Sequence, residues 1–181
     1  TIVRHFAIPV HQNERVVSVA GRAGDFQVRT TGEVSPRRAK GVVIATGFFG
    51  SPNLIGVPGE DLPHVTHLYH EGHEAFDQDV VVAGGGNSAA EAALDLWRCG
   101  ARVTLAHFGP SFDKKIKPWV LPDFENRVKD GSIAVRWGTR ITRIDTDAVT
   151  VSSGGTPSKL PAARVYLMTG FAPNVDLLRD M

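Results

Sequence analysis

With 181 residues, 42% of them hydrophobic, the chain is long enough for one ordinary domain or one and a half small ones, with a real core. A formal net charge of +1 gives no global field to draw in nucleic acid or an anionic membrane, and no apolar run approaches the ~20 residues that span a bilayer. The single cysteine, Cys99, excludes an internal disulfide framework and any Cys-x-x-Cys pair in this chain, and points to a reducing, cytoplasmic setting.

The first residues, Thr1-Ile2-Val3-Arg4-His5, show neither an initiating Met nor a signal-peptide pattern, so a piece cut from a longer protein is expected. Residues 16–19 and 26–30 alternate at period two around a turn-rich stretch at 21–25, which predicts a β-hairpin. Residues 42–45 are all apolar and run into Thr46 and Gly47, the pattern of a strand buried on both faces. Pro52, Pro58, Gly59 and Pro63 then crowd a stretch that no helix or central strand tolerates, so an extended linker is expected.

Residues 79–83 read as a short buried strand. Gly84, Gly85 and Gly86 follow, then a helix over 88–99 whose Ala89, Ala92, Ala93, Leu96 and Trp97 fall at three- and four-residue spacing. Gly100 stops it, and 102–107 is the next strand. The stretch 117–129 is helical in its second half, with Pro118 and Pro122 near its start and Gly131 beyond its end. Three more strands are predicted at 133–137, 140–144 and 148–152. Residues 164–170 repeat the strand-then-glycine pattern, ending in Thr169 and Gly170.

The glycine turn carries the chemistry. Gly84-x-Gly86-x-x-Ala89 stands directly between a strand and a helix. The first glycine permits the sharp turn, the second lets a pyrophosphate approach the backbone, and the small third residue lets helix and strand pack closely. The first helical N–H groups, around Gly85, Asn87 and Ser88, then face the phosphate, and the helix dipole favours its charge. At the end of the second strand an Asp or Glu would bond the ribose hydroxyls of NAD; His107-Phe108-Gly109 stands there instead. With Lys114, Lys115 and Lys117 downstream, this favours NADPH over NADH as cofactor, NADH remaining open because the lysines also read as a solvated loop.

The run 42–47, the Val57-Pro58-Gly59 linker, the turn at 84–89 and the segment Thr169-Gly170-Phe171-Ala172-Pro173-Asn174 occur in an order that resembles the two-dinucleotide-domain flavoprotein reductases. Residues 59–65 and 117–127, the latter with Trp119, Pro122-Asp123 and Glu125-Asn126-Arg127, look like the thioredoxin-reductase-like bacillithiol-disulfide reductases. The likeness covers nearly the whole chain. It implies an α/β fold in which a Rossmann-like, three-layer NAD(P)H domain is inserted into a partial FAD domain. On that reading residues 1–50 are an FAD-domain segment, 51–163 the NAD(P)H domain, and 164–181 the truncated return to the FAD domain. Thr46, Gly47, Thr169 and Gly170 would lie where the chain crosses between the two. The resemblance further implies FAD in the full-length protein, a small-molecule disulfide as substrate, and hydride passing from NADPH through flavin to that disulfide.

The sequence departs from the family pattern in three ways. The initial FAD fingerprint and the C-terminal FAD segment are absent, so this stretch is expected to bind NADPH but little FAD, and to be inactive alone. No Cys-x-x-Cys precedes the glycine turn; in the bacillithiol-type relatives, which also lack it, the proposed redox cysteine sits near the first FAD fingerprint. Relatives carry an Arg after the histidine that ends the second strand, where Phe108 stands here.

No residue reads as a catalytic acid, base or nucleophile, and no metal site is expected. His64, His67, His70 and His73 recur every third residue beside Glu71 and Glu74, but His70-Glu71-Gly72-His73 is one residue short of the zinc-protease spacing, and they read as polar loop residues between domains. Cys99, at the end of the fingerprint helix, reads as structural. Partnership with nucleic acid or membrane is not expected; homo-oligomerisation of the full-length protein stays open. Two other functions compete: a flavin-dependent monooxygenase, and a nucleotide-binding module without catalysis.

Overall fold

The structure is a computed structural model, which describes residues 2–113, 116–173 and 179. Lys114, Lys115 and Asn174 lie outside the described residues. The chain divides at Ser51/Pro52 and again at Phe171/Ala172: Pro52–Phe171 forms one compact unit and the remainder the other.

In the first unit, β1 (Val16–Arg22), β2 (Asp25–Thr30) and β3 (Arg37–Ala39) make an antiparallel sheet in that order. The predicted hairpin is β1–β2, with Arg22 opposite Asp25 across a two-residue turn. Val19 is its buried residue. Arg37 holds the third strand in place by bonding the Glu14 carboxylate at 3.0 Å and Glu33 at 2.6 Å. The expected strand at 42–47 is not formed. Val43 is 91% exposed and no regular structure spans the run. A strand apolar on both faces needs neighbours to take its backbone hydrogen bonds and cover its side chains, and among the described residues no strand lies beside it.

The second unit contains β4 (Val65–Thr66), β5 (Asp79–Ala83), α1 (Asn87–Arg98), β6 (Arg102–Ala106), α2 (Leu121–Lys129), β7 (Ile133–Arg136), β8 (Thr139–Ile144), β9 (Ala148–Ser153), β10 (Thr156–Pro161) and β11 (Arg164–Leu167). Five strands form a parallel sheet in the order β4-β11-β5-β6-β7. The other three form an antiparallel meander, β10-β9-β8.

The alternation of side chains across the parallel strands builds the layers. Val80 and Val82 of β5, Leu105 of β6 and Tyr166 of β11 point to the side where Ala89, Ala93, Leu96 of α1 and Phe124 of α2 pack. Val81 and Ala83, with Val165 and Leu167, point to the opposite side, against Ile144, Val149, Val151 and Leu160 of the meander. Each fully buried Val, Leu or Phe contributes roughly 1.5–3 kcal/mol of transfer free energy. The result is the three-layer, Rossmann-like α/β architecture expected from the sequence, with helices, parallel sheet and meander stacked in turn.

The predicted helix at 88–99 is α1, the helical second half of 117–129 is α2, and the three predicted strands are β7, β8 and β9. β10 escapes sequence pattern because Pro157 and Pro161 interrupt it. Prolines are tolerated there because β10 is the edge of its sheet, where missing N–H donors break no ladder. β11, placed in sequence within the returning segment 164–181, hydrogen-bonds between β4 and β5 in the compact unit Pro52–Phe171.

Candidate functional site

At the carboxyl ends of β5 and β6 the second unit holds a cleft of about 430 Å³. Its floor is the turn from Gly84 to Ser88; its sides come from Ala106–Phe108 at the end of β6, Thr139–Ile141 of β8, and Met168–Gly170 beyond β11. Open parallel sheets place ligands at this end of their strands.

The three glycines do three different things. Gly84 has φ +146°, and a β-carbon there would lie 2.5 Å from the Met168 carbonyl oxygen, so only glycine lets the turn pass beneath the returning strand. Gly85 backs onto His107, whose ring would lie 2.2–2.6 Å from any β-carbon at that position. Gly86 differs: the nearest atom to its missing side chain is Asp113 Oδ2, at 3.7 Å. The space beside Gly86 is open, which is what close approach of a ligand's phosphate requires.

Gly86 is the N-cap of α1, with no side-chain cap and no acidic residue in the first helical turn. Helix-end N–H donors without a capping side chain are available to an anion, and the helix dipole adds to the attraction. The Asn87 Oδ1 is engaged, accepting from the Lys117 N–H at 2.6 Å.

His107 is 4% exposed, and burial pushes its imidazole below the ordinary histidine value, the Asp113 charge opposing. Burial thus favours the uncharged ring. Its Nδ1 is buried without a hydrogen-bond partner. The backbone ties this corner down: His107 N–H donates to Arg136, Thr139 N–H to His107, and Asp113 N–H to Gly85. Arg140 thereby comes to the end of β6, its guanidinium 4.8 Å from the centroid of the Phe108 ring.

Thr169 and Gly170 are held by Asn53. The Thr169 hydroxyl donates to the Asn53 carbonyl at 2.7 Å, and Asn53 N–H donates to the Gly170 carbonyl at 3.0 Å. Ile55, which also lines the cleft, is positioned by Glu60, whose carboxylate accepts from the Ile55 and Gly56 N–H groups at 2.8 and 2.7 Å.

Of the residues singled out by sequence, Gly84, Gly85, Gly86, Asn87, Ser88, His107, Thr169 and Gly170 all line this cleft. Ala89 is fully buried behind the turn, where its methyl would sit 3.0 Å from a β-carbon on Gly84. Thr46 and Gly47 are exposed in the first unit. Lys117 is turned to α1, its Nζ 2.7 Å from Glu91, and is not among the lining residues. Sequence reasoning missed Asn53, Asp113 and Arg140, which lie outside any fingerprint spacing and arrive only through the fold. Three of the four histidines of the 64–73 stretch go to separate partners: His64 to the Asp145 carbonyl, His67 to Glu60, His73 to Glu71. Cys99 lies 3.7 Å from His73 Nδ1, but burial and the Asp95 and Glu71 charges push its thiol up, away from the reactive thiolate.

A sequence model of the pyridine nucleotide-disulphide oxidoreductases matches residues 1–181. The bacilliredoxin reductase Bdr of Bacillus subtilis is 45% identical over 142 residues, which cover 77% of this chain and 43% of that protein. A ferredoxin–NADP reductase of Ignicoccus hospitalis is 36% identical over 104 residues, 58% of this chain and 34% of that one. The solved structure of the bacillithiol disulfide reductase Bdr (YpdA) from Bacillus cereus superposes with a TM-score of 0.93 at 39% identity, covering 99% of this chain and 56% of that one. The chain thus spans about half the length, or less, of the relatives it matches.

Proposed function

Because this chain belongs to the pyridine nucleotide-disulphide oxidoreductase family, we propose that its second unit binds NAD(P)H, with the diphosphate against the backbone of residues 84–88. The observation that carries this is the open space at Gly86, at the uncapped start of α1, in a turn whose other two glycines are filled by Met168 and His107. Gly84, Gly85, Gly86, Asn87, Ser88 and His107 would hold the diphosphate and its flank. Thr169 and Gly170, pinned by Asn53, would border the nicotinamide half.

The described residues offer no comparable cradle for a flavin. The first unit contributes a three-stranded sheet and a single helical turn, Ile2–His5, without a strand–glycine–helix passage. No step of the reaction is therefore assigned to this chain's residues at the flavin. For the whole protein we take the reaction to be NADPH-driven, FAD-dependent reduction of a low-molecular-weight disulfide, in which hydride and a solvent proton convert one disulfide to two thiols. The similarity to a bacillithiol disulfide reductase supports this acceptor class. A cytoplasmic, reducing setting goes with it. Among the described residues no helix is long and apolar enough to cross a membrane.

Calorimetric titration of the chain with NADPH tests the binding half, and saturable one-to-one binding is expected. Absence of binding would reject the site. For the FAD-loaded protein, NADPH oxidation is expected to require an added low-molecular-weight disulfide. Oxidation that instead yields an oxygenated product would replace the reductase reading with a monooxygenase one.

A further inference from the structure

We infer that Arg140, presented by β8 and backed by the Phe108 ring, is the residue that selects NADPH over NADH by pairing with the 2′-phosphate of the adenosine. The inference rests on the dinucleotide reading of the cleft.

In a βαβ nucleotide site the diphosphate lies at the glycine turn after the first strand, and the 2′ position of the ribose is read at the end of the second. Here the second strand is β6, and it leads into the buried His107 and then Phe108, neither of which is a Lys or Arg. The missing charge comes from another strand. The Thr139 N–H donates to the His107 carbonyl at 2.9 Å and the Gly138 N–H to the Gly109 carbonyl at 2.9 Å, which lays the start of β8 along the residues that leave β6. Arg140 therefore lines the same cleft as Gly86, and it is the one Lys or Arg among the described residues that do.

Three features suit Arg140 to the role. It is exposed, so it bears no burial cost as a free cation. Among the described residues it has no carboxylate partner, whereas Arg102, Arg127 and Arg143 are each paired with aspartates. Its guanidinium lies over Phe108, a cation–π contact that restrains the side chain without consuming the outward N–H donors a phosphate would take. Phe108 is thus a positioning residue for Arg140. Asp113 is the competing reader, since its carboxylate borders the same cleft and could accept from ribose hydroxyls.

The test is a set of titrations of the chain with NADPH, NADH, 2′,5′-ADP and 5′-AMP, on the parent and on Arg140→Gln, Arg140→Lys, Phe108→Ala and Asp113→Asn. The parent should bind NADPH and 2′,5′-ADP at least about 10-fold more tightly than NADH and 5′-AMP, as a charge-assisted pair predicts. Arg140→Gln should abolish that ratio and leave NADH affinity unchanged, Arg140→Lys should restore part of it, and Phe108→Ala should narrow it. Unchanged thermal midpoints would show that the exposed substitutions leave the fold intact. A parent that binds NADH and NADPH alike, or an Arg140→Gln variant that keeps the ratio, would overturn the inference while leaving the cleft as a dinucleotide site. An NADH preference lost in Asp113→Asn would overturn it by making Asp113 the reader. A parent that binds neither dinucleotide would remove the cleft reading itself.

Discussion

The imidazole of His107 occupies the space that a side chain at Gly85 would need: a β-carbon there would lie 2.2 Å from the ring's Cε1. The ring thereby adds a side-chain contact to the backbone bond that the Gly84 N–H donates to the Ala106 carbonyl at 3.1 Å. Gly85→Ala is expected to lower stability by about 1–3 kcal/mol, as overpacking does, because the ring must shift to admit the methyl group. Denaturant unfolding measures this. A variant as stable as the parent would mean that the ring and the turn are not in contact.

Gly86 should behave in the opposite way. With Asp113 Oδ2 as its nearest neighbour at 3.7 Å, a side chain fits the folded protein but fills the ligand's place. Gly86→Val is expected to melt within a few degrees of the parent yet lose measurable NADPH binding. Equal affinities for NADPH in the two proteins would show that the diphosphate lies elsewhere.

His107 also predicts a pH dependence. Burial, partly opposed by Asp113, holds its folded-state pKa below the ordinary histidine value of 6.5. Above that value ring and reference are both neutral and stability is full. As the pH falls below 6.5, the unfolded chain takes up a proton that the folded one resists, so stability is lost. His107→Gln is expected to flatten the fall in melting temperature just below pH 6.5 relative to the parent. Identical slopes would mean that the ring is solvated in the folded state.

Phe124 tests the helix layer. It is fully buried, edge-on to Phe112 with ring centroids 4.6 Å apart. Phe124→Ala should cost about 3–5 kcal/mol. A loss below about 1 kcal/mol would show that α2 does not pack against the sheet as described.

Much of the second unit was legible in the sequence because its signals are local. A strand of valines running into Gly84-Gly85-Gly86 and then a small-residue helix is a pattern of adjacent residues, and period-two and helical spacings placed β5, α1, β6, α2 and β7–β9. The run 42–47 misled for a related reason. Its composition suits a doubly buried strand, but burial is conferred by neighbours, and none lies beside it among the described residues. The two prolines of β10 hid a strand that only an edge position permits.

The order of residues along the chain by itself determined the α/β class and the glycine turn, since each rests on backbone geometry over a handful of consecutive positions. Tertiary structure alone decided that His107 fills the space behind Gly85, that Asn53 pins Thr169, and that Arg140 rather than Lys117 brings positive charge to the end of β6. The physical reason is that hydrogen bonding between strands, here from β8 to the residues leaving β6, brings together side chains whose separation along the chain carries no local signal.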